Sequence, residues 1–274
     1  MPGRTDPDEV AGGVPLTGGV ITSVVRVGDT VRRATGPWSP AVHALLGHLQ
    51  AVGFSGAPRF LSTDDAGREI LSYIDGDVPS GADPSVVTDA ALHDVGCLIR
   101  ELHAATASFN IPKGVNWDHK SMGGPPPHVV CHHDLSPRNT VFQDGRAVAF
   151  IDWDLAGPAA PIHDLVHAAW QFVPLAHPAS TRHLGWSEPP DHARRLRVLL
   201  DAYGLSSAQR ARFAARTAAR VEVTASGIET LAAAGRPPFV RLVEQGIVQQ
   251  IRADRDWVLQ NADSLDQSIR AALG

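Results

Sequence analysis

The feature that most constrains how this 274-residue chain can fold is a change of hydrophobic period near residue 75. Between residues 18 and 74 the apolar residues fall in short β-branched runs separated by turn pairs, the pattern of strands whose side chains alternate between two faces. Val24–Val27 and Thr30–Arg33 flank Gly28-Asp29. A glycine at the first position of a two-residue turn accepts the positive φ that the turn demands, so this stretch predicts a β-hairpin. Ser39 followed by Pro40 reads as an N-cap and a first helical residue, and Val42, Leu45, Leu46 and Leu49 recur at helical spacing up to Gly53. Two further runs, 59–62 and 69–74, are joined by a polar stretch and predict a second strand pair.

Beyond residue 84 the period becomes helical. Thr88 caps a predicted helix running to about Thr106, with Leu92, Val95, Leu98, Ile99 and Leu102 on one face. Glycines and prolines at 123–127 break the chain, and short strands are expected at 129–131 and 147–151, with a polar loop over 132–139 leaving the first. Helices are expected over 162–172, 191–203, 207–234 and 238–261, the last two punctuated by Gly or Pro. The layout is α+β and bilobal: a small β-rich N-terminal lobe over 1–74, with 1–14 a loose leader, a Gly/Asp/Pro/Ser-rich hinge over 75–84, and a larger, mainly helical lobe over 85–274.

The formal net charge of -5 argues against a nucleic-acid partner, because phosphate backbones are held by clustered Lys and Arg. Cys97 and Cys131 are the only cysteines and lack CxxC spacing, which excludes a disulfide framework and suits a reducing cytoplasm. No signal peptide or run of about 18 apolar residues is evident, so no membrane partner is expected. Nothing calls for an obligate protein partner.

The chemistry is concentrated in residues 129–164. Asp134, Asn139 and Asp152 each lie just beyond a short apolar run, where strand ends can hold side chains rigidly at a cleft. Oxygen ligands of this kind suit magnesium shared with substrate phosphates, and a carboxylate opposite the metal can orient an attacking hydroxyl. Asp134 fits that second role.

His132-x-Asp134, Asn139 five residues later and Asp152 thirteen after that match the spacing of a protein-kinase catalytic loop and metal site. The wording resembles the aminoglycoside phosphotransferase and choline kinase family, whose loop H-x-D-x-x-x-x-N precedes I-D-W-[DE], here Ile151-Asp152-Trp153-Asp154. The resemblance implies a protein-kinase-like fold and a phosphotransferase using ATP or GTP with Mg²⁺ on a small hydroxylated molecule. It makes Asp134 the catalytic base, Asn139 and Asp152 the metal ligands and His132 a brace for the loop. Asp154 would assist the metal site, and Asp164 would tie down the loop through backbone hydrogen bonds. It also runs Ser72, Tyr73 and Ile74 past the purine ring.

The N-terminal region departs from the family pattern. Its usual lysine is missing, since Lys113 and Lys120 are the only lysines, and Arg33 or Arg32 must supply the phosphate-binding cation. The usual helix glutamate is missing too, and His43 is the nearest polar candidate for its position, so the ion pair is absent or rebuilt. Gly18-Gly19 offers a short phosphate-covering turn. Two other readings compete: a zinc site on His163 and His167, which are spaced i, i+4, and a nucleotide-binding module that no longer transfers. Residues 181–274 carry 13 arginines against 10 acids, which favours a neutral or anionic acceptor, such as a nucleoside antibiotic or macrolide, over a polycationic aminoglycoside. The arginine-rich composition suits a high-GC bacterium and antibiotic resistance by phosphorylation.

Overall fold

A computed structural model describes residues 12–16, 24–118 and 128–270. Five short strands form one antiparallel sheet in the order β1-β2-β3-β5-β4: β1 Val14–Pro15, β2 Val24–Val27, β3 Thr30–Arg33, β4 Phe60–Thr63 and β5 Glu69–Ser72. The predicted hairpin is β2–β3, and Gly28 takes φ +58° at its turn. Val14 pairs with Arg26, so the end of the expected loose leader is an edge strand. Gly18-Gly19 and the 123–127 breaker lie outside the described residues.

Helix α1, Ser39–Ala51, lies beside this sheet and buries Val42, Leu45, Leu46 and Leu49. Its N-cap is Trp38, one residue earlier than expected. Ser39 Oγ instead accepts from the Gly36 amide at 2.9 Å, using the cap-type bond to close the turn before the helix. The segment after β5 is pinned to the second lobe: Asp77 exchanges two 2.8 Å backbone bonds with Phe142, and Gln143 Nε2 donates to the Asp75 carbonyl at 2.8 Å.

Helix α2, Asp89–Thr106, starts as predicted, with Thr88 Oγ1 accepting from the Ala91 amide. It buries Leu92, Val95, Ile99 and Leu102. Two small two-stranded antiparallel sheets follow where only two strands were expected. β6 Val129–Cys131 pairs with β9 Gly157–Ala159, and β7 Thr140–Gln143 pairs with β8 Arg146–Phe150 across the positive-φ pair Asp144-Gly145. The remaining helices are α3 Ile162–Phe172, α4 Pro178–His183, α5 His192–Tyr203, α6 Phe213–Ala233, α7 Pro237–Glu244, α8 Ile247–Gln260 and α9 Ala262–Arg270. The helix expected over 238–261 is thus two, separated at Gly246, whose φ of +75° is outside the helical region. One apolar cluster joins α1, α2, α3 and α5 to the loop through Leu135 and Trp153. Among the described residues no helix is long and apolar enough to cross a membrane.

Candidate active site

The loop after β6 owes its shape to one carboxylate. Asp164, in the first turn of α3, accepts the backbone amides of His132 and His133 at 2.8 Å each, and His103 Nε2 at 3.1 Å. Full burial works to raise the Asp164 pKa, yet its bond to His103 and the nearby histidines hold it far below the usual carboxylate range. The anion stays charged because its oxygens have donors, and it clamps the loop while His133 sits at φ +65°, a conformation unfavourable without such support. The backbone role expected for Asp164 is what its contacts describe.

His132 faces inward. Its Nε2–H donates to the Ile151 carbonyl at 3.0 Å, Nδ1 accepts from the Asp134 amide at 3.4 Å, and the ring packs 4.6 Å from Trp153. It braces the loop against the strand that leads to Asp152. Asn139 closes the single 3₁₀ turn Pro137–Asn139 and sends Nδ2 to both the Asp134 carbonyl at 2.9 Å and Asp134 Oδ2 at 2.7 Å. The Asn139 carbonyl accepts from the Ile151 amide at 2.9 Å, so the loop and the 151–154 segment are locked together. Burial raises the Asp134 pKa, but the nearby His167 and the hydrogen bond from Asn139 outweigh it, leaving Asp134 below its ordinary value and ionised at neutral pH.

On the other side, Arg33 is buried and reaches three carboxylates. Nε lies 2.9 Å from Glu69 Oε1, Nη1 lies 3.0 Å from Asp152 Oδ1, and Nη2 pairs with Asp154. Arg32, one residue earlier on the strand, turns away and bonds Thr30 Oγ1 at 2.6 Å. Alternation therefore selects Arg33. The carboxylate missing from α1 comes from the sheet: Glu69 is the β5 residue directly opposite Arg33, and its Oε2 lies 2.6 Å from His43 Nε2 of α1. His43 stacks on Phe60 at 3.7 Å. The ion pair is rebuilt as Arg33–Glu69–His43.

Three carboxylates thus share one guanidinium. Burial and the charge of Asp152 push the Asp154 pKa up, and Arg33 only partly offsets them. Such a surplus of oxygen donors and negative charge fits a divalent cation such as Mg²⁺, and Asp152 is half exposed at 50% of its side-chain surface, open to a ligand. Its backbone φ of +63° turns the chain sharply at this point.

The expected purine contacts are partly engaged elsewhere. The Ser72 amide donates to the Arg59 carbonyl and the Tyr73 amide to the Asp29 carbonyl, both at 2.9 Å. The Tyr73 ring lies 3.6 Å under the Arg26 guanidinium, and Ile74 follows half-buried. Among the described residues the group of three possible metal ligands is His103, Cys131 and Asp164, which does not include the zinc pair; His167 stands 3.5 Å from Asp134 Oδ1, and the His163 ring lies 6.3 Å from that of His133.

The family model for APH phosphotransferase enzymes matches residues 111–199, which include every residue of the loop and of the 151–154 segment. The chain is also 39% identical over 203 residues to the trifolitoxin immunity protein of Rhizobium leguminosarum bv. trifolii, covering 72% of this chain and 76% of that protein. It belongs to the APH family of phosphotransferase enzymes. Solved structures agree on the fold of this APH-family chain. A choline/ethanolamine kinase family protein from Mesorhizobium loti superposes with a TM-score of 0.64 at 17% identity, over 94% of this chain and 92% of that one. A microcompartment-associated aminopropanol kinase gives 0.54 at 14% identity, over 89% and 90%.

Sequence reasoning missed Glu69 and Arg220 and read His167 only as half of a zinc pair. Glu69 carried a readable signal, an acid opening an otherwise apolar strand run, but its partner 36 residues away follows only from strand register.

Proposed function

We propose that this APH-family chain transfers the γ-phosphoryl group of magnesium-bound ATP or GTP to a hydroxyl of a small molecule, and so protects its host from a toxin or antibiotic. The observation that carries this is the continuous hydrogen-bonded and ion-paired path from Asp134 through Asn139 and Ile151 to Asp152 and Arg33, which gathers a base, oxygen ligands and a cation in one place. The nucleotide lies between the lobes 1–74 and 85–274, beside the crossing at 75–84.

In this reading Asp134 accepts a hydrogen bond from the acceptor hydroxyl and orients its oxygen toward the γ-phosphorus. The new P–O bond forms as the bond from that phosphorus to the β–γ bridging oxygen breaks, and the nucleoside diphosphate leaves. The hydroxyl proton passes to the Asp134 carboxylate and from there to solvent. A carboxylate held below its ordinary pKa is a weak base, adequate where the transition state is loose and the proton moves late. Asn139 and Asp152 would hold Mg²⁺, which supplies charge neutralisation at the phosphates. Arg33 is bidentate by nature and fixed by Glu69, and it anchors a phosphate oxygen once nucleotide competes for its fork.

The relative named for trifolitoxin immunity supports a protective role, and the arginine surplus of residues 181–274 supports a neutral or anionic acceptor. The test supplies ATP and GTP separately, with Mg²⁺, to a panel of hydroxylated antibiotics and metabolites that includes trifolitoxin. Product mass is read for one added phosphate. A gain on one acceptor, abolished in Asp134→Ala, is expected. Nucleotide binding without transfer across the panel leaves a binding module and sinks the proposal.

A further inference from the structure

On the helical side of Asp134 lie two buried groups that the reading above does not use. His167 follows Asp164 by three residues on α3, so both side chains leave the same face of the helix. Asp164 holds the loop backbone, and His167 reaches the carboxylate that the loop presents. Its Nε2 stands 3.5 Å from Asp134 Oδ1, a long contact of the kind that tightens when a site fills. The ring is buried, packed edge-on to Trp170 at 5.6 Å, and neither ring nitrogen has a closer partner among the described residues. From α6, buried Arg220 donates Nη2 to the His133 carbonyl and Nη1 to Thr224 Oγ1, both at 2.7 Å. The opposite oxygen of Asp134 is held by Asn139.

We propose that His167 is a positioning residue for phosphoryl transfer: as a neutral imidazole protonated on Nε2 it donates to Oδ1 of Asp134 and, with Asn139 on Oδ2, fixes the carboxylate for the acceptor hydroxyl. The inference rests on Asp134 being the base. The tautomer follows from electrostatics, since a bare Nε2 would set its lone pair against a carboxylate oxygen, whereas Nδ1 has no hydrogen-bond partner among the described residues and can stay bare. Neutrality follows from the site. Burial lowers the His167 pKa and the Arg220 charge lowers it further, and the nearby Asp134 carboxylate recovers only part of the loss. A neutral donor has a chemical advantage as well: an imidazolium at this place would pair with Asp134 and weaken it as a proton acceptor, while Nε2–H aims it without neutralising it.

Two measurements on the full chain decide this. Nitrogen-15 NMR of the histidine side chains at pH 7, with the His167 signal assigned from its loss in His167→Gln, should report the neutral Nε2–H tautomer and a change of shift in Asp134→Asn. An Nδ1–H tautomer, an imidazolium, or indifference to Asp134→Asn overturns the proposal without any assay. Turnover is then read as Mg²⁺·ATP hydrolysis with water as the acceptor. His167→Leu should lower kcat by about 10- to 100-fold with the KM for ATP within about twofold, and His167→Gln, which keeps a donor near the Nε2 position, should recover most of that loss. Equal rates for the Leu and Gln variants would mean that His167 only packs. If Asp134→Ala hydrolyses ATP as fast as wild type, the base assignment itself fails. If Asp134→Ala is dead while His167→Leu is fully active, only the role of His167 fails.

Discussion

Arg33 has three anionic partners, and each uses a different nitrogen of one planar fork. A lysine in its place keeps the charge but offers a point, so it cannot span Glu69, Asp152 and Asp154 together. Arg33→Lys is expected to raise the KM for nucleotide by roughly tenfold with a smaller loss of kcat, as one phosphate contact of about 1.4 kcal/mol is weakened. Initial-rate kinetics with Mg²⁺·ATP check this, and an unchanged KM would remove Arg33 from phosphate binding. Glu69→Ala strips the buried guanidinium of its closest strand partner and leaves His43 unpaired on that side, a loss of about 1–3 kcal/mol of stability. Thermal unfolding measures it. The absence of lysine before residue 113 narrowed the cation to two adjacent arginines, and a strand, which shows opposite faces at successive residues, lets only one of them turn inward. That Glu69 would complete the pair was not legible, since α1, where the family places its acid, has none, and cross-strand partnership depends on register.

Elements were legible where a local signal marked both ends. The Thr88 side chain satisfies an orphan amide of α2, and Ile162–Phe172 begins and ends where its apolar period does. They were missed where the determinant is a contact. β7 lies between the predicted loop over 132–139 and the strand expected over 147–151, where no element was expected, and became a strand by pairing with β8 across Asp144-Gly145. The closeness of α2 and α5 is another such case. A Cβ built on Gly96 would stand 2.6 Å from the Leu199 carbonyl oxygen and 2.7 Å from Ala202 Cβ, so the two helices touch where one has no side chain. Helix propensity favours Gly96→Ala by about 1 kcal/mol, whereas overpacking against backbone costs about 1–3 kcal/mol, so the substitution is expected to destabilise. A raised Tm for Gly96→Ala would contradict the close packing.

At the scale of the molecule, a half-buried histidine shapes the response to acid. His192 is held at about 4: burial drives it down, and its 3.1 Å bond to the Pro174 carbonyl restores only part. Unfolded, it titrates near 6.5, so between about 6.5 and 4 the unfolded chain binds the extra proton and stability falls as pH falls. Asp164, depressed in the fold, adds its own loss only below the ordinary carboxylate pKa of about 3.9. Tm should therefore drop by several degrees from pH 7 to 4.5, each kcal/mol being worth roughly 2–4 °C in a chain of this size. His192→Asn should flatten that slope, and an unchanged slope would place the acid sensitivity elsewhere. By itself the sequence determined the switch from strand to helix near residue 75, because period is a local property of a chain, and its resemblance to a known family implied the roles expected of Asp134, Asn139, Asp152 and Asp164. Only the tertiary structure decided which arginine turns inward, that Glu69 and His43 rebuild its ion pair, and that His167 and Arg220 stand behind Asp134. Those partners are brought together by strand register and helix packing, which no spacing in the sequence encodes.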